Sequence, residues 1–175
     1  MTRYLTPIGI LLFLASSLTA AEKAPKSAKA ELHDAKGQKV GTVTFKQALD
    51  GLDVSLKVFN LPPGPHAFHI HTVGKCEPPD FKSAGGHLNP QSMKHGLKNP
   101  SGPHAGDLPT FTVGKNGKGK IMLLNKRVTL TSGTNSLFHE GGTAIIIHEK
   151  ADDDVTDPTG NAGNRIACGV IMKGK

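Results

Sequence analysis

Residues 52–59 read LDVSLKVF, and this pattern restricts the fold more than any other in the chain. Leu52, Val54, Leu56 and Val58 alternate with Asp53, Ser55 and Lys57, the two-residue period of a strand with one face in a core and the other in water. No stretch carries the apolar stripe of an amphipathic helix. Other short segments have the same strand character: AELHDA, VGTVTF, HAFHIH, LPTFTVG, GKIMLL, TAIIIHE and RIACGVIM. Turn signals such as Lys36-Gly37, Asp50-Gly51 and Asn116-Gly117 separate them, and the 21 glycines and 12 prolines supply such breaks throughout. About eight strands of this kind predict an all-β fold, a Greek-key antiparallel β-sandwich or flattened barrel.

The rhythm breaks in residues 72–107 and again in 150–164, where Gly, Pro, Asn and charged residues dominate. Structureless segments this long inside a compact domain usually carry function. Two long functional loops are therefore expected on the β scaffold.

The start of the chain, MTRYLTPIGILLFLASSLTAAEK, has a basic residue, a short apolar run and then small residues. This is the pattern of a secretory signal peptide over residues 1–21, and the run is too short to span a bilayer comfortably. A flexible polar tail, 22–29, and one β domain, 30–175, are expected after it. Export implies an oxidising compartment, where the two cysteines, Cys76 and Cys168, read as one disulfide. The formal charge of +7 is spread over lysines such as Lys23, Lys46, Lys57, Lys118 and Lys120. No basic helix accompanies them, tryptophan is absent and the one tyrosine, Tyr4, lies in the leader. The surplus therefore describes a basic surface that attracts small anions, with no nucleic-acid partner and no membrane after signal cleavage.

Nine histidines set the chemistry. In FHIH, His69 and His71 share one strand face and Phe68 and Ile70 the other. If the apolar pair enters the core, the imidazoles project outward side by side. His148 ends the run TAIIIHE, on the face it shares with Ile146. The first long loop adds His87, His95, His104 and Asp107. Three histidines and an aspartate are the ligand types of a closed four-coordinate zinc site, and ligation would hold a segment that lacks a core. Imidazole-only ligation with an open position suits copper, which points to His69, His71, His148 and one loop histidine. His87, nearest the strand pair in sequence, is the best fourth member. With two ring nitrogens it could bridge the two metals.

The order of FHIH (68–71), GGHLNP (85–90), KHG (94–96), HAGDLP (104–109), IIIHEKADD (145–153) and GNAGNRIACGVI (160–171) resembles the copper-zinc superoxide dismutases, in particular their bacterial exported members. The resemblance implies a two-sheet sandwich. It implies copper on His69, His71, His87 and His148, zinc on His87, His95, His104 and Asp107, and His87 as the bridge. It makes Asp152 the carboxylate that orients one copper and one zinc histidine, Cys76–Cys168 the disulfide and Arg165 the arginine that docks the anion. His87 and Arg165 would act in catalysis, with superoxide as substrate and dioxygen and hydrogen peroxide as products. The periplasm is the expected location, and a homodimer is among the assemblies implied. The alternative is an exported copper/zinc-binding protein without catalysis, which would need neither Arg165 nor a bridging His87. Ala67 stands where the family usually has glycine, so a positive φ there would strain it. Lys75, Lys82 and Lys94 are expected to steer the anion. His66 reads as a structural histidine, and His33 and His139 as ordinary ones.

Overall fold

The computed structural model describes residues 24–174. The segment read as a signal peptide, residues 1–21, lies outside them. Ten strands form: β1 (Ser27–Asp34), β2 (Lys39–Ala48), β3 (Gly51–Val58), β4 (Gly64–His66), β5 (Phe68–His71), β6 (Phe111–Val113), β7 (Gly119–Asn125), β8 (Ala144–His148), β9 (Arg165–Val170) and β10 (Met172–Lys173). The one helical turn among the described residues is a 3-10 turn, Lys82–Ala84. All pairings are antiparallel, in the order β4-β6-β7-β3-β2-β1-β9-β8-β5, with β10 also on β1. Since β4 and β5 sit at the two ends of this path and are joined through Ala67, the sheet curls into a nearly closed barrel, as expected for the all-β Greek-key class.

Ten strands stand where about eight were expected, because two of the expected strands are each divided. HAFHIH breaks at Ala67, where the chain leaves β6 and joins β8: Ala67 N–H donates to the Lys150 carbonyl, and the Ala67 carbonyl accepts from His148 N–H. Ala67 is not among the residues with positive φ, so alanine fits there without strain. RIACGVIM breaks at Ile171, whose N–H turns to the Thr143 carbonyl. The loose tail also ends earlier than the sequence suggests. Ser27 to Lys29 already belong to β1, opposite Lys46 to Thr44.

The alternation in β3 is realised as read: Leu52, Val54, Leu56 and Val58 are buried in the main core, and Asp53 and Lys57 are exposed. Phe68 and Ile70 of β5 and Ile145 and Ile147 of β8 enter the same core. The opposite face of β8 carries Ile146 into a second cluster with Phe81, Ala84, Ala144 and Cys168. That cluster sits under the Cys76–Cys168 disulfide, which closes a sequence separation of 92 residues and ties the first loop to β9. His69 and His71 do leave the core face, yet they are buried rather than exposed, because the two loops cover them.

Candidate metal centre

Two strands and two loops build the site. His69 and His71 come from β5, opposite Ile146 and Ala144 of β8. A register shift between Ile147 and His148 sets His148 directly opposite Arg165. A bulge of this kind re-aims side chains at a strand end. The first loop lies along β5 through two isolated bridges, His69 with Asp107 and His71 with His87. Gly106 makes this possible: Ile70 N–H donates to its carbonyl at 2.9 Å, and a Cβ there would collide with the Ile70 carbonyl oxygen.

One ring nitrogen of each strand histidine is committed. His69 Nε2–H donates to Asp152 Oδ2 (2.6 Å), His71 Nδ1–H to the Gly85 carbonyl (2.9 Å) and His148 Nδ1–H to the Gly163 carbonyl (3.3 Å). These acceptors fix the tautomers and leave His69 Nδ1, His71 Nε2 and His148 Nε2 as bare acceptors. Those three atoms and His87 Nε2 are buried without a hydrogen-bond partner. His69, His71, His87 and His148 each offer a ligand atom within 4.8 Å of the others. Four buried lone pairs facing one another are costly unless a cation joins them.

The second group lies on the other side of His87. Asp107 Oδ1 is 2.9 Å from His87 Nδ1, 3.1 Å from His95 Nδ1 and 3.3 Å from His104 Nδ1, and His104 Nδ1 is 3.3 Å from His87 Nδ1. A tetrahedron with zinc–nitrogen bonds has edges of about 3.3 Å, so the four groups already stand close to that geometry. The other Asp107 oxygen accepts from Gly96 N–H and His104 N–H. Asp152 links the two groups: its Oδ1 accepts His95 Nε2–H at 3.0 Å while its Oδ2 holds His69.

Burial favours neutral rings. It lowers His148 to about 3 and His87 to about 4, and takes His71 well below the usual histidine value. Burial acts the same way on His95, but the Asp107 and Asp152 carboxylates prevail and carry it up to about 10. Burial would raise Asp107, yet the ring N–H groups around it hold it far below the carboxylate range. Most of the first histidine quartet is thus neutral at neutral pH, as metal ligation requires, and His95 would have to give up a proton to bind a metal.

Above the quartet opens a cavity of about 420 Å³ lined by His71, His87, His148, Lys94, Asp157 and Arg165, among others. The Arg165 guanidinium donates to the carbonyls of Phe81 and Gly85, each at 2.7 Å. Phe81 is held at φ 53°, the left-handed region that aromatic residues seldom adopt. The Gly85 carbonyl also accepts from His71, so the arginine and a strand histidine share one anchor.

The expected steering lysines are largely compensated. Lys94 pairs with Asp157 at 3.0 Å and Lys82 with Asp80 at 2.8 Å, while Lys75 is exposed. His66 is structural, between the His148 and Pro62 carbonyls. His33 and His139 stand outside both groups. Sequence reading gave no reason to single out Asn125 and Arg127, which bond the backbone of residues 105 and 107, or Asp157, which accepts His95 N–H. Each acts on main-chain atoms and leaves no motif.

Fold and side chains together define a β-barrel metalloprotein in which one ligand group is closed and the other faces a cavity beside an arginine. Residues 39–171 match the family model described as copper/zinc superoxide dismutase. The chain is 53% identical over 144 residues to superoxide dismutase [Cu-Zn] 1 of Aquifex aeolicus, covering 81% of this chain and 85% of that one. A SOD-like protein from Bacillus subtilis superposes with a TM-score of 0.79 at 41% identity, over 82% of this chain and 97% of the other. The Cu/Zn superoxide dismutase from Brucella abortus gives 0.68 at 27% identity, over 83% and 99%. The chain belongs to the copper/zinc superoxide dismutase family, and its metals are copper and zinc.

Proposed function

We propose that copper is held by His69 Nδ1 and by Nε2 of His71, His87 and His148, and zinc by Nδ1 of His87, His95 and His104 with the Asp107 carboxylate. The protein is a superoxide dismutase that converts two superoxide ions and two protons into dioxygen and hydrogen peroxide. The observation that carries the ligand assignment is the quartet of buried, unpartnered ring nitrogens at the floor of the Arg165 cavity.

When bound, copper supplies a one-electron couple and zinc a fixed positive charge without redox chemistry. The chain does the rest. Arg165 is permanently cationic, and its two carbonyl anchors hold its planar donors beside the cavity, where a small anion is oriented. His87 Nε2 takes up a proton during the first half of the cycle and gives it to the second superoxide. His87 Nδ1, within the Asp107 group, keeps the ring from turning meanwhile. The second proton comes from water. Asp152 holds the rings of His69 and His95 in their metal-binding tautomers.

The leader pattern and the disulfide support export, with the periplasm as the site of action. A carrier without catalysis would use the same ligands but gain nothing from a guanidinium fixed at the cavity. Metal analysis of purified protein, combined with a superoxide-decay assay, tests the reading. His148→Gln is expected to lose copper and activity and keep zinc. Arg165→Ile is expected to keep both metals and slow the reaction about tenfold, the low end of what a charged cleft adds to an on-rate. Full activity in His148→Gln would overturn the copper assignment.

A further inference from the structure

Three successive carbonyls in the HAGD segment each have a donor from the barrel. Asn125 Nδ2 donates to Ala105 at 3.1 Å, Ile70 N–H to Gly106 at 2.9 Å and an Arg127 terminal N–H to Asp107 at 2.6 Å. Asn125 ends β7, is 1% exposed, and its Oδ1 accepts Arg127 N–H at 2.9 Å, so the two side chains act from one fixed point. The Arg127 carbonyl in turn accepts from Asn135, which ties this point to the loop before β8.

Arg127 is an unusual choice for a structural tie. Its guanidinium is partly buried, its Nε has no partner, and among the described residues it makes no carboxylate ion pair. Desolvating a cation without pairing it is costly. What it reaches is the carbonyl of Asp107, not the carboxylate. An arginine on the carboxylate would compete with a metal for the same oxygens, whereas one on the carbonyl fixes the backbone and leaves Oδ1 to the histidine rings and Oδ2 to the Gly96 and His104 N–H groups. Oδ1 does meet His87, His95 and His104 there.

We propose that Arg127 is a positioning residue for zinc: it holds the His104–Asp107 segment in ligating geometry from behind, and it does so independently of the copper histidines on β5 and β8. This rests on the zinc assignment made above. The copper quartet shares only His87 with the zinc group, so the two metals should respond differently when Arg127 is changed.

The experiment follows release of both metals from the holoprotein into a chelator, with cobalt(II) spectra of the zinc site and thermal unfolding alongside. Arg127→Ala should release zinc about 10- to 100-fold faster, the usual effect of losing an outer partner of a metal ligand. Copper release should stay unchanged, and the cobalt spectrum should shift. Arg127→Lys, which keeps the charge and one donor, should restore part of the zinc retention. If Arg127→Ala does not fold, Arg127→Gln carries the same comparison. Zinc release at the unsubstituted rate would overturn the proposal. Equal acceleration of both metals with a lowered unfolding midpoint would overturn it too, since that marks general loosening. Asp107→Asn separates the two readings: if it keeps zinc at the unsubstituted rate, the ligand assignment has failed, and if it loses zinc while the Arg127 variants do not, the failure is that of Arg127 alone.

Discussion

Removing the Asp152 carboxylate should cost the protein zinc before copper. Asp152→Ala deletes two acceptors at once, the 2.6 Å bond from His69 and the 3.0 Å bond from His95, in a side chain only 2% exposed. Each is a bond to an ionised group, worth about 1.5–3 kcal/mol. The consequences differ because the two rings are carried differently. His69 lies within β5, where Phe68 to His71 all pair with β8, and its side chain is fully buried between core and loop. Its backbone stays in place without Asp152. His95 lies in an irregular loop held mainly by its own N–H to Asp157 and by its Nδ1 contact with Asp107. Asp152 Oδ1 also accepts from Asp154 N–H, a bond that shapes the second loop, whereas the Asp152 N–H bond to Thr110 Oγ1 survives the substitution; what is lost between the two loops is the His95 contact. The full value of one charged bond therefore falls on zinc, about 10- to 100-fold in affinity, and copper should weaken by less than about tenfold. Dialysis against graded chelator, with both metals counted by mass spectrometry, reads the ratio. Copper lost first, or zinc held at wild-type affinity, would refute the argument that strand-borne ligands outlast loop-borne ones.

Further expectations concern the disulfide and the titration of His95. Replacing both Cys76 and Cys168 with serine opens a connection of 92 residues and should cost about 4–5 kcal/mol in the chain-entropy account, read as a lower midpoint in urea; an unchanged midpoint would contradict it. In the metal-free protein His95 is raised from 6.5 to about 10, so apparent zinc affinity should climb with pH and level off near 10, with proton release in calorimetry at pH 7; a flat profile above pH 7 would count against the His95 assignment. The same shift stabilises the metal-free fold fully below pH 6.5, and that contribution is lost as pH rises through about 10.

The legible parts of this protein are those in which one residue reports on its neighbours through a repeat. The alternation of Leu52, Val54, Leu56 and Val58 leaves strand as the sole economical reading, and Phe68 and Ile70 then settle which way His69 and His71 face. The loop residues were legible for another reason: three imidazoles and a carboxylate in a segment without apolar periodicity have little else to do. Division of a strand was not legible. HAFHIH alternates from Phe68 to His71 and slips at Ala67, but a single slip of phase does not mark a strand end, and it is the bonding of Ala67 to both Lys150 and His148 that splits the strand there.

Contacts to main-chain atoms escape a sequence reading for a deeper reason. A carbonyl is present at every position, so neither the Phe81 and Gly85 oxygens under Arg165 nor the Ala105 and Asp107 oxygens held by Asn125 and Arg127 leave any mark in residue type. Yet these bonds decide whether the legible residues can work. A ligand set is a list of donors, but a metal site also needs those donors held at fixed separations before the ion arrives. In this barrel much of that work falls to the ends of β7 and β9 and to the Asp152 loop, which aim histidines they do not contain. Residue types therefore reveal what the site can bind, and the irregular backbone between strands governs how firmly.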